Sequence, residues 1–275
     1  MITIQVRVAV LFIAAAGGTA TASWRQQAAP KPSVAALLAK LHSAERSERA
    51  EAFEQLRSNP ANLQSPKVRM ALLDLLDREN HELDSQLLEA QKKGYPDEGE
   101  NEGYAEYYSY VLDTVDSFAD WNDPRQACIL VDASSSDDSA FAAEIADHAK
   151  VTVPCLMKRS ESAISMNRAV SVPVLVQALG KAKGTLDHGT VQAARRIILR
   201  ALQDPDEAVR AFTVHALGRY GAEDMIPMLK NVAKTDPAFS KESNSYWIRE
   251  AATRAVAAIQ ERTSGQRELE LRPQR

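Results

Sequence analysis

Residues 204–221 read DPDEAVRAFTVHALGRYG, and this stretch is the most informative part of the sequence for the fold. Its apolar frame occupies relative positions 0, 3, 7, 8 and 11, which are filled by Val209, Phe212, Ala216, Leu217 and Tyr220. Apolar residues at this spacing lie on one face of an α-helix. The stretch therefore predicts an amphipathic helix whose apolar stripe needs a neighbouring helix to cover it.

The same frame recurs in two other places. Shifted by 39 residues, it is filled by Ile248, Ala251, Ala255, Val256 and Ile259. It also begins at Val68 and fails only at its last position, Glu79. In every copy the residue after the first apolar position is an arginine, namely Arg69, Arg210 and Arg249. A period of 20–50 residues is typical of stacked repeats. We therefore predict an all-α fold, an α-solenoid of stacked antiparallel helix pairs, with Val209 and Leu217 in its core.

A second element, [Val/Ile]-Pro-x-Leu, occurs three times, and its prolines are Pro154, Pro173 and Pro227. Proline is tolerated in the first turn of a helix because its missing N–H has no partner there anyway. The element predicts that each of these prolines lies in the first turn of a helix.

The quoted stretch resembles a HEAT repeat of the short bacterial kind. The residues that carry the resemblance are Asp206, Val209, Arg210, Ala216, Leu217, Gly218, Gly221, Ile226, Pro227 and Leu229. It is sharp over 204–234 and fair over 244–262, and it implies about six helix pairs with Gly221 in a turn between helices. In this family an aspartate and the arginine of the Val-Arg pair often bond between neighbouring repeats. The resemblance thus implies structural roles for Arg210 and Arg249.

The first residues have the pattern of an export signal. Arg7 precedes an apolar run over 8–16, and Ala20-Thr-Ala22 forms a cleavage pattern that lacks the cysteine of a lipoprotein. Nine apolar residues are too few to span a bilayer, which needs about 20, and no second long run follows. We expect a signal peptide at 1–22, a linker at 23–32, and a periplasmic or secreted mature chain without a membrane span.

The mature chain is mildly acidic. The full sequence has 33 Lys and Arg against 37 Asp and Glu, and removal of residues 1–22 deletes only Arg7, which gives 32 − 37 = −5. Recognition of nucleic acid needs a basic face. The charge therefore argues against a nucleic-acid partner.

Cys128 and Cys155 are the only two cysteines. In an oxidising compartment an even pair is a disulfide candidate, which the chain-entropy model values at about 3.5 kcal/mol for this loop. The alternative is two separate buried thiols, because cysteine readily fills cores.

The repeat pattern breaks at an acidic, tyrosine-rich insertion at about 92–110. Five of the seven tyrosines lie there: Tyr95, Tyr104, Tyr107, Tyr108 and Tyr110. Tyrosine offers a large contact area at low entropic cost, so these residues are candidates for binding a partner. The alternative is that their rings pack on the adjacent helix and the acids solvate a loop. The solenoid itself is expected over 33–262, with a flexible tail at 263–275.

No catalytic motif accompanies this fold. The five histidines are scattered, and His81-Glu82 stands alone, whereas the HEAT-like deoxyhypusine hydroxylases repeat such pairs to bind iron. Neither a G-x-S-x-G nucleophile motif nor a phosphate-binding glycine loop occurs. The sequence thus predicts an exported, non-enzymatic scaffold that binds a protein or peptide and has no cofactor. The alternative is an enzyme or metal-dependent protein with an unrecognised site on the HEAT-like scaffold.

Overall fold

The structure is a computed structural model that describes residues 32–94, 102–134, 139–182 and 184–270. The chain divides into two compact units, Met1–Ser33 and Val34–Arg275, and every described helix belongs to the second. The predicted signal peptide at 1–22 lies outside the described residues, as does the predicted linker up to residue 31. The helices are α1 (Val34–Lys40), α2 (Arg46–Arg57), α3 (Pro66–Lys92), α4 (Glu102–Asp116), α5 (Pro124–Ala133), α6 (Ser139–Asp147), α7 (Ala149–Arg159), α8 (Ser165–Lys181), α9 (His188–Ala201), α10 (Glu207–Tyr220), α11 (Ile226–Thr235) and α12 (Trp247–Glu270).

Aspartate side chains fix where three of these helices begin. Asp206 accepts a hydrogen bond from the backbone N–H of Ala208 at 2.8 Å, at the start of α10. Asp187 does the same for Thr190 at the start of α9, and Asp123 caps α5 in the same way. A carboxylate there satisfies an otherwise unpaired N–H and faces the positive end of the helix dipole. These starts are therefore determined locally by the sequence.

The helices stack in two layers around one continuous apolar core. α6, α8, α10 and α12 pack in succession, and α5, α7 and α9 pack in succession beside them. α7 packs on α8, which links the two layers, and α11 packs on α12. Within the described ranges no strand occurs, and the only β-type pairing is an isolated bridge between Ser240 and Ser245. The predicted all-α solenoid is confirmed.

The two clearest sequence copies lie on neighbouring helices of one layer, α10 and α12. Val209 and Leu217 of α10 are buried, as are Ile248 and Ile259 of α12. The two helices approach so closely that a side chain at Gly218 would meet Ala255 at 3.2 Å. The 39-residue period is therefore the step from one helix pair to the next.

The buried stripe of α10 is narrower than the sequence pattern indicates. Phe212 is 43% exposed and Tyr220 is 38% exposed, although both occupy apolar positions of the frame. Phe212 lies at the edge of the stripe, and Tyr220 is the last residue of the helix. Neighbouring helices cover the centre of the stripe and leave these two rings partly in solvent.

Only one of the three proline predictions is correct. Pro227 lies in the first turn of α11, but Pro154 and Pro173 lie inside α7 and α8. An interior proline costs one backbone hydrogen bond and bends the helix. The turns before these prolines bury Val153 and Val170, so tertiary packing favours an earlier helix start than local sequence signals predict.

Arg210 joins its own helix pair to the next. Its Nε donates to Asp236 Oδ2 at 2.7 Å, and its Nη1 donates to the carbonyl oxygens of Asp204 and Pro205 at 2.8 and 3.1 Å. Arg249 in turn donates from Nε to the Asp236 carbonyl at 2.7 Å. Both arginines therefore hold the loops between successive helices.

Arg168 and Arg49 repeat this geometry. The carbonyl acceptors of Nη1 are Ser162 and Ala163 for Arg168, and Ser43 and Ala44 for Arg49. The Nε of Arg168 donates to Asp204 at 2.7 Å, and the Nε of Arg49 donates to Glu79 at 2.8 Å. The same arginine arrangement thus marks the starts of α2, α8 and α10, including places where the apolar frame is not recognisable.

A disulfide joins Cys128 of α5 to Cys155 of α7, with the two Cα atoms 5.2 Å apart. The helices already pack against each other, so the bond closes a loop across an existing contact.

The ends of two predicted segments differ in the structure. α12 continues to Glu270, so residues 263–270 of the expected tail are helical, and 271–275 lie outside the described residues. The expected insertion at about 92–110 is partly helical, because α4 begins at Glu102. None of the helices in the described ranges is both long enough and apolar enough to cross a membrane.

Candidate functional site

Four of the five tyrosines that the sequence singles out lie on α4. Tyr104, Tyr107 and Tyr108 are half-buried, since positions three and four apart share the helix face that packs on α3. Tyr110 is 38% exposed. Tyr95 lies outside the described residues. The structure thus divides the set into three tyrosines that pack on α3 and one at the surface.

The three half-buried tyrosines direct their hydroxyls toward α3. Tyr104 donates to the carbonyl of Glu79 at 3.3 Å, and Tyr107 donates to Glu79 Oε1 at 3.2 Å. Tyr108 donates to Asn80 Oδ1 at 2.5 Å. Burial raises the pKa of all three phenols, so they remain protonated donors at physiological pH. Their polar ends are therefore engaged within the fold.

An ion cluster lies beneath these tyrosines. The side chains of Arg49 and Glu79 are both 0% exposed and pair at 2.8 Å, while Arg49 also reaches Glu82 at 2.6 Å. Arg46 lies 3.9 Å above the Tyr104 ring, and its Nε faces Glu79 Oε2 at 3.7 Å without a hydrogen bond. Partial burial acts to raise the pKa of Glu82, but hydrogen bonds from Arg46 and Arg49 lower it overall. Arg78 also donates to Glu82 Oε1 at 3.2 Å, so three arginines surround the two carboxylates and both carboxylates are paired within the fold.

The polar contacts continue along α3 to α7 and α8. Asn167 donates to Asp84 Oδ1 at 2.9 Å and accepts from Arg159 at 3.1 Å. Arg159 also reaches Asp132 at 3.4 Å. Burial raises the pKa of Asp132, and the charge of Arg159 opposes that shift. This part of the cluster joins α3, α5, α7 and α8.

We call this set the polar seam: Arg46, Arg49, Glu79, Asn80, Glu82, Asp84, Tyr104, Tyr107, Tyr108, Asp132, Arg159 and Asn167. A buried polar group is costly unless it is paired, and these groups largely pair with one another. The seam contains no serine, cysteine or histidine that a carboxylate could activate as a nucleophile. Its chemistry is that of a structural network that fixes α3 against five neighbouring helices.

One feature of the sequence indicates the seam, which is the failure of the apolar frame at Glu79. That position is buried but faces Arg49 instead of an apolar residue. The pairing itself joins residues on different helices, so sequence spacing could not reveal it. Within the described part of the chain, no group of three or more His, Cys, Asp and Glu side chains is arranged to hold a metal ion.

A second cluster, missed by the sequence reasoning, lies on the surface between α11 and α12. Phe239 and Tyr246 are 46% and 43% exposed, and their rings meet edge to face with centroids 5.1 Å apart. The Arg249 guanidinium lies 3.8 Å from the centroid of the Tyr246 ring. We call these three residues the aromatic cluster. Exposed aromatic and arginine side chains are the types enriched at the energetic centres of protein interfaces.

The backbone holds the aromatic cluster in place. Ser240 and Ser245 exchange backbone hydrogen bonds at 2.9 and 3.2 Å, and Asn244 between them has a positive φ of 49°. At the loop's start, the Ala238 N–H donates to Asp236 Oδ1 at 2.9 Å, the aspartate that also binds Arg210. Both rings therefore project from a loop that the repeat scaffold anchors. The available sequence signal was an aromatic residue at each end of a polar loop.

The comparisons with known proteins agree with this architecture in one part of the chain. Residues 174–243 match the family model of HEAT repeats. This range runs from within α8 through α11 into the loop that carries the aromatic cluster. No curated protein matches the chain.

Proposed function

We propose that this protein is an exported, non-enzymatic helical-repeat scaffold that binds a protein or peptide partner through the aromatic cluster. The observation that carries the proposal is the exposed ring pair of Phe239 and Tyr246 with Arg249 stacked on it. HEAT repeats commonly serve as surfaces for protein interactions, and residues 174–243 match such repeats.

Preorganisation favours this cluster as a binding surface. A partner that meets fixed rings loses less conformational entropy than one that must order a flexible loop. Asp236 is bonded by Arg210, Ala238 and Arg249, so the loop is tied to α10 and α12. The aromatic cluster therefore combines a suitable composition with a rigid support.

The outer side of α4 is a second part of the proposed surface. The Tyr110 hydroxyl donates to Glu106 at 3.0 Å, and the Arg57 guanidinium lies 4.5 Å from the centroid of its ring. This pair has the same aromatic and arginine chemistry as the aromatic cluster. Tyr110 is the described tyrosine of α4 that offers its ring to a partner without breaking a contact to α3.

Two observations support export. The first residues have the composition of a signal peptide, and Cys128 and Cys155 form a disulfide, which persists in oxidising compartments. N-terminal sequencing of protein from the producing cell tests this proposal, with Ser23 expected near the new N-terminus. A soluble pool that retains Met1 would contradict it.

The alternative, an enzyme with an unrecognised site, would use convergent titratable groups in an accessible pocket. The polar seam is the densest such convergence among the described residues, and its groups mostly pair with one another. This arrangement favours the binding proposal.

The binding proposal is tested by affinity capture from the extract of the producing cell's export compartment. The double variant Phe239→Ala/Tyr246→Ala is expected to reduce recovery of the captured partner about tenfold or more. Truncation of side chains at the energetic centre of an interface commonly lowers the binding affinity by at least this factor. The matched control is Phe212→Ala/Met166→Ala, which removes two similarly exposed apolar side chains elsewhere. Unchanged recovery with the cluster variant, or equal loss with the control, would contradict the proposal.

A further inference from the structure

A cavity of about 610 Å³ lies between α8, α9, α10, α12 and the turn at 222–225. Its apolar lining includes Val176, Leu179, Ile198, Leu217 and Met225. Cavities of roughly 300–1,000 Å³ with mostly apolar walls and a few polar groups are typical of small-molecule sites. The volume and lining therefore suit a compact organic ligand rather than a broad protein surface.

The cavity walls are parts of the stacked repeats. A side chain at Gly180 would meet the Tyr220 carbonyl oxygen at 3.2 Å, so the ends of α8 and α10 are in close contact beside the cavity. Gly221 is equally constrained, since a Cβ there would lie 2.5 Å from the Leu217 carbonyl oxygen. The site is thus pre-formed by the fold and does not depend on a loop closing over it.

Cationic side chains outnumber carboxylates on the cavity lining. The charged residues of the lining are Lys181, Arg195, Arg219, Arg262, Glu223 and Asp224. Arg195 pairs with Asp224 at 2.7 Å, and Lys181 pairs at 2.7 Å with Asp147, which is not part of the lining. These two ion pairs account for two of the four cations.

The other two cations have no carboxylate partner among the described residues. Arg262 donates to the carbonyl oxygens of Gly218, Arg219 and Gly221 at 2.9, 2.9 and 2.5 Å, which orients its guanidinium at the end of α10, where the helix dipole offsets part of its charge. The exposed Arg219 side chain forms neither an ion pair nor a hydrogen bond within the described part of the chain. Arg219 therefore offers its positive charge to an anionic group at this rim, where Glu223 is the carboxylate of the lining besides Asp224.

We propose that this cavity binds a small amphipathic organic anion, a free carboxylic acid with an apolar body. The apolar body lies against Leu179, Ile198 and Met225, and the carboxylate binds at Arg219 beside Arg262. Guanidinium groups suit this role because they stay charged at all physiological pH values and present donors that match a carboxylate. The site is separate from the aromatic cluster and does not depend on the partner-binding proposal.

The probe is dodecanoate below its micellar concentration, titrated calorimetrically into the purified chain. Dodecyltrimethylammonium, with the same apolar body and the opposite charge, is the head-group control. Dodecanoate is expected to bind with one-to-one stoichiometry, and the cationic probe to bind at least about tenfold more weakly, which corresponds to a free-energy difference of about 1.4 kcal/mol.

Three variants locate the binding. Ala222→Trp places a large side chain on the cavity lining, at an exposed position with extended backbone, and is expected to abolish dodecanoate binding. Arg219→Gln is expected to weaken dodecanoate about tenfold. Arg196→Gln, an exposed arginine of α9 outside the cavity lining, is the matched control and should change nothing.

Circular dichroism of each variant verifies that the helices are intact, and Phe239→Ala/Tyr246→Ala should leave dodecanoate affinity unchanged. The proposal is overturned if dodecanoate fails to bind the intact chain at millimolar concentration. It is equally overturned if a folded Ala222→Trp variant binds it as tightly as the original, or if the cationic probe binds equally well.

Discussion

Single buried residues define the register of the solenoid. Val209 and Leu217 lie in the core as the sequence predicts, because they occupy the centre of the helical stripe. Phe212 and Tyr220 fit the same pattern but remain partly exposed, since apolar spacing identifies a face and does not show how wide a neighbour covers it. Glu79 is the opposite case, a polar residue at an apolar position that is buried because Arg49 pairs with it.

The first residue-scale prediction compares Leu217 with Phe212. Leu217→Ala removes a fully buried side chain and is expected to lower the free energy of unfolding by about 2–5 kcal/mol. Phe212→Ala removes a side chain that is already 43% exposed and should cost markedly less. Urea denaturation measures both. Equal effects of the two substitutions would show that the register of α10 is wrong.

The second residue-scale prediction separates the tyrosines of α4. Tyr108→Phe leaves Asn80 Oδ1 without its donor and is expected to cost about 1–3 kcal/mol of unfolding free energy. Tyr110→Phe removes a hydroxyl that bonds an exposed glutamate, so stability should hardly change. Thermal melts of the two variants provide the comparison. A larger loss for Tyr110→Phe than for Tyr108→Phe would refute the assignment.

At the scale of helices, the sequence predicts neighbours better than boundaries. The 39-residue period identifies α10 and α12 as successive elements, and they are in direct contact. The helix starts predicted at Pro154 and Pro173 are wrong, because a local signal gives no information on the tertiary contacts that let α7 and α8 begin earlier. The polar seam could not be predicted, since its pairs join helices whose relative positions are set by the whole stack.

Arg210, which joins α10 to the loop after α11, gives one prediction at this scale. Arg210→Met leaves Asp236 buried without its cation and should lower the free energy of unfolding by about 3–5 kcal/mol. Arg254→Met is the control, because its side chain is exposed and its contact with Glu250 is long at 3.9 Å. Chemical denaturation distinguishes them. If Arg210→Met is as stable as the control, the arginine does not hold the repeats together.

The disulfide between α5 and α7 gives the second prediction at the scale of helices. Replacing both cysteines by serine is expected to lower the free energy of unfolding by about 3–4 kcal/mol, chiefly because the unfolded chain gains freedom. The helix content measured by circular dichroism should stay the same, since the two helices also pack through apolar residues. A chemical reductant should lower the melting temperature of the original chain and leave that of the serine variant unchanged. A melting temperature that does not respond to reductant would contradict the structural role.

At the scale of the whole molecule, the stack presents two kinds of surface. On the inner side of α4, the tyrosine hydroxyls bind to residues of the polar seam. On the loop before α12 and on the outer side of α4, aromatic rings are exposed to solvent. The repeats in the sequence predict a binding scaffold, and the frequency of tyrosine predicts that residues 95–110 bind the partner. Phe239 and Tyr246 were not predicted, because their rings meet through the backbone pairing of Ser240 with Ser245, which the spacing of two aromatic residues does not by itself indicate.

Site-specific photo-crosslinking in the producing cell shows whether the aromatic cluster contacts a partner. A photoreactive phenylalanine analogue replaces Tyr246 or Phe239 in the full chain, and the equally exposed Phe212 is the control position. We expect a crosslinked adduct of one discrete mass from positions 246 and 239 and none from 212. Absence of an adduct from both cluster positions, or the same adduct from position 212, would contradict this expectation.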